Sequence, residues 1–103
     1  MKISRVQYTL QQSFVAQNKQ NISKVMEELR SLNNPGIRYS SCVLDDGKTF
    51  MHLVICQDEE AFKVIGSLES FKHFQEELKA SNPEVPPKPE NLTLVGSSYD
   101  FFN

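Results

Sequence analysis

The sequence predicts an α+β domain of the ferredoxin-like kind, a four-stranded antiparallel sheet with two helices on one face. Three observations predict it. Apolar and polar residues alternate near both ends of the chain and on either side of Asp46-Gly47, the mark of half-buried strands around a hairpin turn. Two intervening stretches repeat apolar residues at three- and four-residue steps, the mark of amphipathic helices. The resulting order is β-α-β-β-α-β, which right-handed crossovers fold into a split βαβ sheet.

The first strand runs from Lys2 to Gln12, with Val6, Tyr8 and Leu10 on one side and Arg5, Gln7 and Thr9 on the other. Asn18 or Asn21 is expected to cap the first helix, since a side-chain amide can accept from the orphan N–H groups of a first turn. Ile22, Val25, Met26, Leu29 and Leu32 form its buried stripe. Asn33-Asn34-Pro35-Gly36 ends it, Pro being unable to continue a helix and Gly readily taking positive φ.

Ile37–Leu44 and Thr49–Gln57 form the central hairpin. With Asp46 and Gly47 at the turn, Val43 faces Phe50, Ser41 faces His52 and Tyr39 faces Val54; a bulged three-residue turn would shift this by one. Asp58-Glu59-Glu60 opens a short helix, acidic groups suiting the positive end of the dipole. Ser67 is expected to cap a longer one with Leu68, Phe71, Phe74, Gln75 and Leu78 inward. Asn82–Pro89, rich in proline, reads as an extended connector, and Asn91–Phe101 as the last strand.

At 103 residues and 11.8 kDa the chain is expected to be a single domain, residues 1–103. A net charge of −2 and a pI near 5.6 argue against nucleic acid, whose partners carry a basic stripe. No apolar run reaches the roughly 18–20 residues of a bilayer span. Met1–Arg5 leads into no apolar core of a signal peptide, so the expected location is cytoplasmic. Cys42 and Cys56 stand about five residues out of step in the hairpin, roughly 17 Å apart. That is beyond disulfide reach and suits two reduced core thiols.

Two helices cover one sheet face, and an uncovered face should be polar. Here both faces of the hairpin are apolar. Met51, Leu53 and Ile55 are assigned to the helices, which leaves Tyr39, Val43, Phe50 and Val54 bare. A patch of that size marks an interface. The expected partner is a second copy, two sheets packing face to face.

At this point the residues resemble a family. Gly36–Ser40, Leu44–Leu53, Asp58–Ala61 and Ser70–Phe74 look like the corresponding segments of antibiotic biosynthesis monooxygenase-type dimeric α+β barrel proteins, and the likeness covers nearly the whole chain. The resemblance implies a homodimer of ferredoxin-like sheets closed into a barrel. Some members of that superfamily oxidise aromatic polyketides without metal or flavin, and some cleave haem. The haem-cleaving members and several oxygenases use a tryptophan with His and Asn. This chain has no Trp and no Asn in its first strand, a departure that counts against haem cleavage and weakens oxygenase chemistry without excluding it.

His52, mid-strand among apolar neighbours, is the candidate catalytic residue, because imidazole titrates near working pH and can serve as a base. Its expected neighbour is Ser41, then Gln7 on the adjoining strand. Arg38, like Arg5, offers a planar fork for a carboxylate or phenolate. Tyr39 and Tyr99, like Tyr8, can hydrogen-bond a ligand while packing their rings. Ligand contacts are thus expected from Arg38, Tyr39, Ser41, Gln7 and Tyr99. His73 reads as solvated. The two N-x-S/T sequons and Pro86-Pro87-Lys88-Pro89 are given no functional role. No phosphate loop, serine motif or metal-ligand cluster is present, so no cofactor is expected. The expected function is binding of a small apolar or aromatic molecule, with cofactor-independent monooxygenation as a possible activity. The alternative is a non-catalytic ligand carrier or dimerisation module.

Overall fold

The computed structural model describes residues 1–102. β1 (Lys2–Thr9) passes through a 3-10 turn at Gln12–Phe14 into α1 (Val15–Leu32). The hairpin β2 (Ile37–Val43) and β3 (Thr49–Cys56) follows, then α2 (Glu59–Ser67), α3 (Glu69–Ala80) and β4 (Val85–Leu92). The four strands form one antiparallel sheet in the order β2-β3-β1-β4. This is the ferredoxin-like arrangement, with the second helical stretch divided in two.

The hairpin register is the expected one, with Val43 opposite Phe50, Ser41 opposite His52 and Tyr39 opposite Val54. Gly47 takes φ 76°, a left-handed conformation that costs glycine little. Asp46 holds the turn by accepting from the Lys48 and Thr49 amides and the Thr49 hydroxyl. Those bonds, that to the Thr49 hydroxyl first, lower its carboxyl pKa.

The two faces are the reverse of the sequence assignment. Tyr8, Phe50, His52, Val54 and Cys56 point toward the helices and are buried, Tyr8 and Phe50 packing with Val25, Phe74 and Leu78, and Val54 and Cys56 with Ala61 and Ile65. Alternation then sends Arg5, Gln7, Met51, Leu53 and Ile55 to the open face. Both faces being apolar, hydropathy could not choose between them. Aromatic bulk decides it, since Phe50, Tyr8 and Tyr39 fill the space beneath helices whose own stripe carries Phe71 and Phe74.

Four local expectations are also corrected. Asn18 and Asn21 do not cap α1; both lie inside it and are buried. Its C-terminal residue with positive φ is Asn33, at 52°, and not Gly36. Asp58 caps α2 by accepting from the Ala61 amide at 2.8 Å. Ser67, however, is the last residue of α2, its hydroxyl donating to the Val64 carbonyl. The N-terminal turn of α3 is held from outside, since Glu28 of α1 accepts from the Ser70 amide and hydroxyl. Gln75 is exposed and leaves the stripe to Leu68, Phe74 and Leu78.

The proline-rich segment is the fourth strand rather than a connector, and residues 93–102 hold no regular strand. Proline suits a sheet edge, where an outward N–H has no ladder to join. Pro86 and Pro87 fall where the β1–β4 register shifts between Gln7 and Thr9, and Pro89 stands opposite Val6. Beyond β4 the chain brings Phe102 to the Arg38 guanidinium, 5.5 Å from its ring centre. Arg38 is on β2, the opposite edge of the sheet from β4. The tail thus crosses the open face near Ile3 and Ile55, which are buried there, each 7% exposed, without help from the helices. Cys42 is exposed on the same face, so only Cys56 is a core thiol.

Candidate ligand-binding site

Between the helix-facing side of the sheet and α2 and α3 lies a cavity of about 980 Å3. Its walls follow from the local sequence. Strand alternation supplies Val6 and Val54 from the floor, and helical periodicity supplies Ile65, Phe71, Phe74 and Leu78 from the roof. Pro86, Pro87 and Pro89 close the β4 side. A strand of ordinary residues would present N–H groups and flexible side chains at that wall. The pyrrolidine rings instead make it rigid and apolar. Lys63, Gln75 and Lys79 are exposed residues at its rim, and among the described residues no Asp or Glu lines the cavity.

The buried polar groups inside are few: Ser4, and a connected set around His52. His52 is 3% exposed. Its Nε2 lies 2.8 Å from the Tyr8 hydroxyl and its Nδ1 lies 2.9 Å from the Tyr39 hydroxyl. Asn18 of α1 donates its amide to the Tyr8 oxygen at 2.9 Å. The rings of Tyr8 and Phe74 flank the imidazole, each with its centre 5.4 Å away. Burial lowers the His52 pKa from 6.5 to about 4, so the ring is neutral at physiological pH. Burial likewise raises both tyrosine hydroxyls, with the Asn18 bond working against the rise at Tyr8 and the Tyr8 charge adding to it at Tyr39. All three groups therefore stay neutral, and the cluster exchanges hydrogen bonds rather than charge. The Asn18 Oδ1 and Asn21 Nδ2 atoms are buried without a partner among the described residues.

Of the residues singled out from sequence, the cavity takes His52, Tyr39 and Tyr8. Ser41 is the direct cross-strand neighbour of His52, yet the imidazole bonds Tyr8 and Tyr39 instead. Gln7 lies on the open face, bonded to Arg5, which also pairs with Glu90 at 2.9 Å. Arg38 is on that face too, against Phe102. Tyr99, 65% exposed in the tail, packs on Phe101. His73 is exposed near Glu77. The functional reading overlooked Asn18 and the cavity wall of prolines. The signal for Asn18 was its spacing, because residues 18, 22, 25 and 29 share one helical face. An amide in an apolar stripe is a buried amide. Among the described residues no group of three or more His, Cys, Asp or Glu side chains could hold a metal, and no helix is long and apolar enough to cross a membrane.

No protein-family model matches the sequence, and no curated protein matches it. Solved structures do. An antibiotic biosynthesis monooxygenase superposes with a TM-score of 0.79 at 14% identity, over 93% of this chain and 100% of the other. A variant of SnoaB, a cofactor-independent oxygenase from Streptomyces nogalater, gives 0.71 at 14% identity, over 96% and 98%. Rv0793 from Mycobacterium tuberculosis gives 0.78 at 9% identity, over 96% and 100%. The chain has the α+β ferredoxin-like fold of the antibiotic biosynthesis monooxygenase-like proteins.

Proposed function

We propose that this protein binds a small, largely apolar or aromatic molecule in the cavity between its sheet and α2 and α3, as a homodimer joined through the open sheet face. One observation carries the binding reading: an apolar space of about 980 Å3 with a connected group of buried polar side chains, Tyr8, His52 and Tyr39, at one side. Ligand sites are built this way, apolar walls supplying affinity and a few polar groups supplying orientation. The dimer reading rests on the open face, where Met51 and Leu53 are half-buried and Leu44 and Leu92 exposed.

Oxygenation of an electron-rich aromatic is the reaction class we propose, supported by the shared fold with SnoaB. Without a cofactor the substrate itself supplies the electrons. An activated CH2 plus O2 becomes C=O plus H2O, one oxygen atom entering the product and the other leaving as water. The second reading, a non-catalytic carrier, is favoured by one observation: both ring nitrogens of His52 are already bonded, so no imidazole nitrogen is free to take a substrate proton. Oxygen uptake by the purified protein with anthrones and phenols separates the two. Uptake that saturates with substrate supports the oxygenase. Saturable binding without uptake supports the carrier, and absence of both removes the ligand-binding reading.

A further inference from the structure

We propose that Ser4 is a second recognition point in the cavity, and that the ligand is a rod-shaped apolar molecule whose end toward α2 carries a carboxylate. The proposal rests on the ligand-binding reading above and adds to it a residue and a charge. Ser4 is 8% exposed and lines the cavity. Its hydroxyl makes no hydrogen bond among the described residues. The unpartnered side-chain atoms that protein seals off belong to Asn18 and Asn21, and the Ser4 Oγ is not among them. The hydroxyl therefore keeps open surface, and in so buried a residue that surface is the cavity. A hydroxyl in an apolar wall costs free energy until something bonds it, so Ser4 points to a polar group on whatever fills the space.

Place in the sheet sets the shape of that molecule. Ser4 and Tyr8 share one face of β1, four residues or about 13 Å apart. Val6 lies between them, with Val54 opposite Ser4 and Pro89 opposite Val6, all three lining the cavity. A molecule that reaches both points is long, apolar in its middle and polar at each end. The Ser4 end belongs to α2, because Val54 packs with Ala61 and Ile65. The Tyr8 end belongs to α3, because Tyr8 packs in one cluster with Phe74 and Leu78. A serine hydroxyl both gives and takes a proton, so Ser4 alone does not choose between an alcohol and an acid. Lys63 does. It lines the cavity from α2, and its ion pair with Glu60, at 3.7 Å, is fully in solvent and worth little. With no Asp or Glu on the lining among the described residues, an anionic oxygen at this end meets attraction and no opposing carboxylate.

Three rod-shaped probes test this: 4-hydroxybiphenyl, 4′-hydroxybiphenyl-4-methanol and 4′-hydroxybiphenyl-4-carboxylate. They share one polar end and differ at the other, which is bare, a neutral alcohol or an anion. Their affinities are measured by calorimetric titration of the full chain. The carboxylate is expected to bind about tenfold tighter than 4-hydroxybiphenyl, the usual worth of one hydrogen bond to a charged group, with the methanol between them. Ser4→Ala should remove most of both gains and leave 4-hydroxybiphenyl binding as before. Lys63→Gln should bring the carboxylate down to the methanol, whereas Lys79→Gln, at the Tyr8 end, should not. Equal binding of the three probes, or gains that survive in Ser4→Ala, overturns the proposal and leaves the cavity a ligand site with Ser4 served by water. A methanol that matches the carboxylate, or a carboxylate gain untouched by Lys63→Gln, overturns the assigned charge. Failure of all three to bind overturns the ligand-binding reading itself.

Discussion

His52 and Tyr39 are diagonal neighbours across the β2–β3 hairpin, yet their side chains meet at 2.9 Å between Nδ1 and the hydroxyl oxygen. The direct partner of His52 is Ser41, and that of Tyr39 is Val54. A serine side chain is too short to lie over the ring of a neighbour, whereas a tyrosine spans the diagonal and sets its ring at 77° to the imidazole. Reach, rather than register, selects the bond. The result is a histidine sealed on both sides by phenols.

That sealing makes stability depend on pH. The His52 pKa is held at about 4 in the folded chain against 6.5 unfolded. Between these values the unfolded state binds more protons, so stability falls as pH drops from about 6.5 toward 4 and is complete above that window. The loss amounts to about 3 kcal/mol at most, since each tenfold difference in proton affinity between the two states is worth roughly 1.4 kcal/mol. Urea midpoints at pH 7.5, 6 and 5 should fall in that order, and a His52→Gln variant should flatten the trend. A wild-type midpoint unchanged down to pH 4.5 would contradict the buried neutral ring.

The two tyrosines should not be equivalent. Tyr8→Phe removes a hydroxyl that joins two partners and leaves both Asn18 Nδ2 and His52 Nε2 unpaired. Tyr39→Phe orphans only His52 Nδ1. With about 1–3 kcal/mol for each buried group left unsatisfied, Tyr8→Phe should be the more damaging of the two by at least about 1 kcal/mol. Chemical denaturation of both variants gives the ranking, and equal losses would show that Tyr8 does not join Asn18 to His52 as the structure has it.

The element order and the hairpin pairing were readable because they rest on periodicity and on one turn, Asp46-Gly47, that few other structures tolerate. Which face meets the helices was not readable. Phe50 and Val54 on one side and Met51, Leu53 and Ile55 on the other are nearly matched in hydropathy, and only three-dimensional packing breaks the tie. β4 was hidden for a different reason. Pro86, Pro87 and Pro89 argue against a central strand, and the rule is correct, but β4 is an edge strand, where it does not apply. Of the candidate site, His52, Tyr39 and Tyr8 were legible as single residues. Their link through Tyr8 to Asn18 was not, because it joins two strands and a helix through side-chain length alone.

The hairpin turn should depend on Asp46 more than on its neighbour Asp45. Asp46 accepts from two backbone amides and the Thr49 hydroxyl, and these bonds to the charged form lower its pKa. The stability it lends is present at neutral pH and is lost as pH falls through that lowered value, below the range in which His52 titrates. Asp46→Ala should lower the thermal midpoint measurably at pH 7, while Asp45→Ala should leave it unchanged. Equal effects from the two substitutions would show that the side-chain bonds do not hold the turn.

The open face can be separated from the core by paired charge substitutions. From sequence, Phe50 and Val54 are expected at the dimer interface, but both are buried beneath the helices. Phe50→Lys would place an unpaired charge among Tyr8, Val25 and Phe74, an environment in which an ion is costly. It should therefore unfold the chain whether or not a dimer exists. Leu53 is only half-buried in the single chain, so Leu53→Lys should leave each chain folded. If two sheets meet there, the same lysine faces its own copy across the interface. Sedimentation equilibrium at micromolar concentration should then give about twice the chain mass for the wild type and close to the chain mass for Leu53→Lys, with unchanged circular dichroism. A folded wild-type monomer at that concentration, or a Leu53→Lys protein that stays dimeric, would show that this face is not the interface.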